Sequence, residues 1–460
     1  MAEPQPPAAP AATAPAASAT TASPPKPPAQ NPALRMMGLP ALPRKLPSRN
    51  WMIFWTLSSA LAATIIYDRR EKKRATARWA HAVEHLAKRP LANPSQMPRK
   101  VTVYLEAPPG DGLRVAQDHY SEYIKPVLAA SGLDWDFVQG RQQGDIRAAV
   151  AERVRRRRRA QEKHVGAEGD AAAEALATEE DRIDAWRQAH GVPLYDGVRG
   201  DIVVGRHTWK EYTRGLHEGW LGPLTAPPHA QPDPEPEAES ADADAEGSNK
   251  TKRPPQIKPY DSPEDYATAH LPLLVPSELA PSAPVSFPHI LGFLNTPTRF
   301  VRFLTRRKLA DEVGRDVAAV CLAAYREYRE DAGDGDSPDS HWEQQTALAH
   351  EEKDWVKSVW KADKEEEKPA TGSELVDVPR PAAAGKEKIW PRPMVIDQRI
   401  GMRMRRFELL PEDEERARGI VVPEEEVEGW TKGHLRALWR WTASNFQKEE
   451  RKVPTSFDDE

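Results

Sequence analysis

Apolar positions run unbroken in one place only. WMIFWTLSSALAATIIY, residues 51–67, is seventeen residues without a charge, at the short end of the ~17–25 needed for a helix that spans a bilayer. Trp51 and Trp55 at one end and Tyr67 at the other suit the two interfaces, where an amphipathic ring is half wetted. Arg44, Lys45 and Arg49 precede the run, and Asp68-Arg-Arg-Glu-Lys-Lys-Arg74 ends it abruptly. A buried core helix would need neighbouring segments able to form that core, and none adjoins it. Ser59 and Ala63, four apart, give one small-residue face on which another helix can pack closely, a common spacing.

Beyond the run, residues 68–98 read as a charged juxtamembrane helix. After Pro98 the pattern alternates between strand and helix periods. Lys100–Leu105 is β-branched and strand-like, Ala107–Gly112 is a turn, and Leu113, Ala116, Tyr120, Tyr123, Ile124 and Val127 recur at helical spacing up to Gly132. Asp134–Gly140 is a second strand, and Ile146, Val150 and Val154 mark a long helix from about Asp145. Asp181–Trp186 leads to a third strand, Asp201–Val204, and a third helix. This order predicts an α/β domain over 99–222 with a doubly wound, mostly parallel sheet and right-handed crossovers. A Pro-rich acidic linker is expected over 223–280, and a smaller mixed α/β region over 281–460. There Ser286–Ala324 has Pro297 near a helix start, 341–368 reads as a charged helix with Trp342, Trp355 and Trp360, and Ile400, Met402 and Met404 alternate with arginines as a half-buried strand. Leu435, Leu438, Trp439 and Phe446 line a last amphipathic helix.

Composition changes this picture at the ends and in the middle. The 45 prolines concentrate at residues 4–48 and 223–288. The first 34 residues are almost all Ala, Pro, Ser, Thr and Gln, too poor in large apolar groups to offset ordering entropy, and the Pro/Ala-rich segment 1–48 is expected to be disordered. Those first 34 residues lack the arginines of a transit peptide and the apolar core of a secretory signal. The net charge of −5 hides blocks: a basic run at Arg153 and Arg155–Arg159, and an acidic stretch at Asp233–Glu246. The balance argues neither for nor against nucleic acid, and no nucleic-acid partner is expected. The basic run, Arg155, Arg156 and Arg157 above all, is either a solvated helix arm or a contact for acidic lipid headgroups or an acidic partner. The single Cys321 excludes a disulfide framework and a Cys-rich zinc site, and its apolar neighbours on a helix point to a buried thiol. His81-Ala-Val-Glu-His85 matches a zinc-peptidase pattern, but a catalytic zinc needs a third ligand and a roofed cleft. No partner motif supplies them, so the match reads as chance.

GDIVVGRHTWKEYTRGLHEGW, residues 200–220, opens like a nucleotide site and then departs from one. A phosphate loop needs further glycines after the strand, so that backbone N–H groups can close around an anion. Here Gly205 is followed by Arg206, His207, Thr208 and Trp209. The order strand–PPGDG–helix with IKPVL, strand, helix, DIVVG, helix, and then HILGFLNTP, resembles the N-terminal domain of diacylglycerol-kinase-type lipid kinases. Against that family's Gly-Gly-Asp-Gly-Thr loop, Gly205–Trp209 is a degenerate phosphate loop, which implies a scaffold without catalysis, cofactor or metal.

A second resemblance covers most of the expected ordered chain. The Pro-rich start, the span after LPSRNW, VTVYLEAPPGDGLRVAQDHYSEYIKPVL and FPHILGFLNTPTRFVRFLTRRKLADEVG are similar to the large single-pass subunit of the mitochondrial inner-membrane carrier translocase, the Tim fifty-four family. That resemblance implies a structural, non-enzymatic role in inserting multispanning carriers, with an uncleaved anchor and a large domain in the intermembrane space. Expected partners are channel-forming and accessory subunits, small intermembrane-space chaperones, carrier precursors and inner-membrane lipid. Arg302, Arg306 and Arg307 join the basic run as the candidate partner surface. The flanking charges point the other way on topology. Arg35, Arg44, Lys45 and Arg49 stand against Arg69, Arg70, Lys72, Lys73, Arg74, Arg78 and Lys88, which favours the body on the more negative side. The rival reading is a membrane-anchored acylglycerol kinase, and the Gly205–Trp209 loop speaks against it. A plain tether without a docking role is a third reading.

Overall fold

The computed structural model of the chain describes residues 48–90, 96–165, 179–192, 195, 197–228, 256–331, 341–353, 355 and 387–450. Residues 1–47, the centre of the Pro-rich stretch and Trp360 lie outside the described residues, as does the side chain of Phe446. The chain divides into two compact units after Leu61. Of the first, the described part is the start of one helix, α1 (Arg49–Ala87), with its large apolar side chains exposed. The remainder of α1 belongs to the second unit, the folded body. At ~1.5 Å per residue its 39 residues extend about 58 Å, and the apolar half is long enough to cross a membrane.

The body is built on a six-stranded sheet. Its strands are β1 (Lys100–Glu106), β2 (Asp134–Gly140), β3 (Gly200–Val204), β4 (Ser282–Val285), β5 (Tyr325–Glu327) and, after a two-stranded ribbon of β6 (Glu330–Asp331) and β7 (His341–Trp342), β8 (Arg405–Phe407). The order is β2-β1-β3-β4-β8-β5, parallel except for the β5 edge. Val103 pairs with both Phe137 and Ile202, and Ile202 with Ala283, so residues from both halves of the chain share one register. The stretches 99–222 and 281–460, expected as separate regions, therefore complete a single sheet.

Alternate residues feed two cores. Val101, Val103, Leu105, Ile202, Val204, Ala283 and Val285 face one side. There they meet α2 (Leu113–His119), a single π turn (Tyr120–Ile124), α3 (Lys125–Ser131) and α8 (Arg306–Leu322). Tyr104 and Val203 face the other, under α4 (Asp145–Val165) and α6 (Arg206–Leu221), with α5 (Glu179–Ala189) between them in sequence. Burial on both faces is why these strands read as continuous apolar runs. Gly132, in the left-handed region at φ 71°, ends α3 as expected.

The second half of α1 enters the first core through Trp79, Ala82 and Val83. Asp68, where the apolar run stops, is 2% exposed. Its carboxylate accepts from the backbone N–H groups of Arg306 (3.2 Å) and Arg307 (3.3 Å), the orphan donors that open α8. At the other end of α8, Arg99 donates to the carbonyls of Val320 (2.6 Å) and Cys321 (2.7 Å). Between them, the Trp79 indole donates to Asp311 at 2.7 Å, and its ring lies directly over Gly314. Cys321 is buried, and burial pushes its thiol up to about 11.

Three expectations change. Residues 341–368 are not one helix: the described part is β7, α9 (Glu343–Thr346) and α10 (Ala349–Glu352), broken at Leu348 with φ 59° so that Gln344 and Glu351 both turn inward. In Arg399–Phe407 only β8 is strand. Asp397 caps a helical turn, α11 (Gln398–Gly401), by accepting from Arg399 N–H at 2.8 Å, a local bond that an alternation of apolar positions does not reveal. The linker shortens, because residues from 256 onward pack on the body with Tyr266 and Leu279 buried. The chain then closes with α12 (Pro411–Arg418), α13 (Glu424–Val427) and α14 (Trp430–Glu450). Leu435, Leu438 and Trp439 of α14 are exposed.

Gly314 gives a direct test of this packing. In an open helix, Gly→Ala gains about 1 kcal/mol. Here the new Cβ would lie 2.3 Å from Trp79 Cδ1, so Gly314→Ala should instead destabilise the detergent-solubilised protein by about 1–3 kcal/mol. A raised melting temperature would mean that Trp79 does not sit on α8.

Candidate functional site

The junction of β3 and α6 is where an α/β fold of this kind would bind an anion, and its geometry is closed from within. Gly205 adopts φ 91°, and a Cβ there would meet the His207 ring at 2.8 Å. The Arg206 N–H at the start of α6 and the Phe287 N–H after β4 converge on the two oxygens of Glu351, at 3.2 and 2.6 Å. A helix N-terminus favours an acceptor or negative group, and here the position is taken by the chain's own carboxyl group. Burial pushes Glu351 up to about 7, while the two N–H donors pull the other way.

The bulk that follows Gly205 is used against the same segment. The Arg206 guanidinium bonds Glu352 (3.0 Å) and the Ala347 carbonyl (2.7 Å). Trp209, fully buried, donates to the Gln344 carbonyl at 3.0 Å. His207 donates from Nε2 to the Glu106 carbonyl at 3.1 Å and stays neutral, burial lowering it to about 4. Thr208 is buried as well. Arg206, His207 and Trp209 thus tie β1 and the 344–352 segment to α6 in place of a phosphate.

All sixteen residues of α6 are buried, although many are charged. Each finds its counterpart on a different segment. Lys210 reaches Glu352 at 2.7 Å, Arg214 reaches Asp261 and Glu387 at 2.7 Å each, and Glu218 holds Arg155 at 2.5 Å and also Arg147. His217 Nδ1 donates to Thr213 and its Nε2 accepts from the Asp397 N–H at 3.0 Å. Glu211 accepts from Gly144 at 2.7 Å. Burial beside Glu211 raises Glu106 well above the usual carboxylate range, so Glu106 holds a proton. Gly215 and Gly219 let α4 approach, since a Cβ would come within 2.6 Å of the Arg147 carbonyl and 2.5 Å of Val154.

Of the expected partner surface, Arg155 is withdrawn. It is 2% exposed, paired with Glu218 and stacked 3.6 Å over the Tyr260 ring. Arg156 is half-buried and Arg157 exposed, both on α4, whose face of the sheet is opposite to that of α8. Arg306 and Arg307 instead meet Asp68, and the Arg307 guanidinium lies 5.3 Å from the Tyr67 ring centre. Arg302 is half-buried one turn earlier. Trp51, Trp55 and Tyr67 are exposed along α1, as are Ser59 and Ala63. His81 lies between Glu84 (3.0 Å) and Glu426 (2.9 Å), which raise it, and His85 bonds the Ala82 carbonyl. Among the described residues no group of three or more side chains could hold a metal. Asp68, Arg99, Glu351 and Glu352 escape a reading of the sequence, because each acts on a residue more than 140 positions away. The one available signal was α6 itself, whose apolar stripe of Trp209, Tyr212, Leu216 and Trp220 is flanked by charges on the remaining faces and by two glycines four apart.

These features define an α/β protein with one candidate membrane helix, in which the N-terminus of α6 is met by the chain's own Glu351. The family model described as inner membrane protein import complex subunit Tim54 matches residues 31–251 and 230–407. The chain is 54% identical over 445 residues to the mitochondrial import inner membrane translocase subunit tim54 of Neurospora crassa, covering 92% of this chain and 91% of the relative. With its namesake in Aspergillus oryzae it shares 40% over 451 residues, 90% of this chain and 96% of that one. The Schizosaccharomyces pombe protein of that name is 31% identical over 300 residues, 62% and 80% of the two chains. The chain belongs to the Tim54 family, a family of translocase subunits and not of enzymes.

Two outcomes follow from Glu351. Titration with Mg–ATP should show no saturable binding up to millimolar concentrations, and micromolar binding would mean that the carboxylate yields its place. The folded protein also holds the Glu351 proton up to about pH 7, whereas the ordinary value is 4.5. The contribution of this group to stability therefore falls as pH rises through that window. The melting temperature of wild type minus that of Glu351→Gln should shrink from pH 4.5 to pH 7, and a difference that grows would contradict the buried placement.

Proposed function

We propose that this chain is a non-catalytic scaffold subunit of the translocase that inserts multispanning carrier proteins into the mitochondrial inner membrane. One observation carries the reading: α1 continues from the apolar run into the core and is fixed there by Asp68, Trp79 and Val83. A tether would need only a flexible joint. The second half of α1, packed into the body, gives the body a rooted attachment point, which is what a docking platform requires. In this reading Ser59 and Ala63 pack against a channel-forming subunit, while the body receives small chaperones and their carrier clients. The α/β frame is that of a nucleotide-binding domain put to structural use, and Glu351 at the start of α6 supports this over an acylglycerol kinase.

We place the C-terminal body in the intermembrane space. The opposing charge count loses force in the folded protein. Of its seven C-side cations, Arg70, Lys72, Arg74, Arg78 and Lys88 are in ion pairs with Glu424, Glu122, Asp311 and Glu84. Lys72 is also pushed down to about 8 by burial and by Arg306.

In mitoplasts, added trypsin should digest the body while matrix markers survive. Lys250 and Lys252, in the Pro-rich acidic stretch, are suitable cleavage points, whereas the Arg253–Pro254 bond resists trypsin. Protection of the body until detergent is added would put it in the matrix, and the docking role would fall with the topology.

A further inference from the structure

The segment that leads into α8 presents a surface that the scaffold role alone does not use. Phe293 and Leu294 are 89% and 82% exposed, and Phe300 and Val301 about half exposed. They lie on the turn before α7 (Thr296–Phe303) and on α7 itself, which starts at a proline. At ~100° per residue, Pro297, Phe300, Val301 and Leu304 share one side of α7, and Arg299 and Arg302 the other. Soluble proteins rarely leave neighbouring large apolar side chains this bare.

The position of α7 selects the occupant. Three residues beyond Phe303, the Arg306 N–H bonds Asp68, and the Arg307 guanidinium lies over Tyr67. Tyr67 and Asp68 are the last apolar and first charged residues of the span. The chain from 293 to 307 is therefore held where α1 leaves the bilayer, with bare apolar groups and a set of cations. Arg299, Arg302 and Arg306 line a shallow groove with Val115 and Phe303, in which the cations outnumber Asp118 and Glu122, the latter 3.9 Å from Arg306. Cations flanking exposed aromatic and aliphatic groups are the pattern of an element lying in a headgroup layer.

We propose that residues 293–303 form an interfacial foot. Phe293, Leu294, Phe300 and Val301 enter the outer acyl region of the leaflet that α1 leaves, and Arg299, Arg302 and Arg306 take anionic phospholipid headgroups. The foot rests on the reading that residues 51–67 cross the membrane. It gives the body an attachment to the bilayer of its own.

The test uses the full chain with Cys321→Ser, labelled with an environment-sensitive fluorophore at Leu294→Cys. It is reconstituted into phosphatidylcholine vesicles, and into an equal mixture with phosphatidylglycerol, carrying spin-labelled lipids quenching at shallow or deep positions. The expected result is a blue-shifted emission quenched by the shallow lipid and shielded from iodide, more strongly in the anionic vesicles. Emission as in water, quenched by iodide and not by lipid, overturns the foot. Equal behaviour in both vesicles overturns the role of the arginines. A parallel label at Ala60→Cys, near the middle of the 51–67 run, should be quenched by the deep lipid, and its failure would overturn the span reading while a water-exposed 294 label with a deep-quenched 60 label overturns the foot alone. A label at 294 that becomes shielded only when other translocase subunits are added would assign the face to protein and also overturn the proposal.

Discussion

Helix α8 is gripped at both ends by residues that precede the first strand. Asp68 satisfies the N–H groups that open it, and the Arg99 guanidinium satisfies the carbonyls that close it. A negative group at the positive end and a positive group at the negative end complement the helix dipole. Trp79 fills the space between, against a glycine that leaves room for its ring. Since Asp68 is also the residue at which the apolar run ends, the same carboxylate that caps α8 marks the point where α1 passes from exposed to packed. Turning α1 about its axis would strip α8 of its cap and lift Trp79 and Val83 from the core together.

On the opposite face of the sheet the constraint is electrostatic. A buried helix carrying Arg206, Lys210, Glu211, Arg214 and Glu218 is tolerable only if each charge meets a partner. The partners come from α4, from 256–266, from 344–352 and from 387–397. Such pairs add little net stability after desolvation, but removing one leaves the other stranded. They fix which segment lies where, so the C-terminal half is part of the domain and not an appendage. The same arrangement leaves no room for a ligand at the head of α6.

This division explains what the sequence could and could not show. Strand and helix periods from Lys100 to Leu221 are local, and β1, α4, β3 and α6 appear where their apolar spacing puts them. Pro297 and Gly132 mark a helix start and a helix end for reasons of backbone geometry alone, and the apolar run at 51–67 declares itself by length. Periodicity reports which side of an element is apolar and is silent about what covers the polar side. Arg155 therefore read as surface, although Glu218 and Tyr260 enclose it. Residues 341–353 read as one helix, although the turn at Leu348 is what aims Glu351 at Arg206. The bulk at His207 and Trp209 could be seen in the sequence, while the Glu351 carboxyl group that meets the Arg206 N–H lay far off in the chain.

Cys321 has a consequence of a different kind. It is the only cysteine in the sequence, it is enclosed by α8 and its neighbours, and its thiol stays protonated far above neutral pH. Thiol–disulfide exchange proceeds through an accessible thiolate, and this protein offers none in its folded form. With one sulfhydryl it also has no second site for an internal crosslink. Its folded state therefore offers thiol–disulfide exchange no accessible partner.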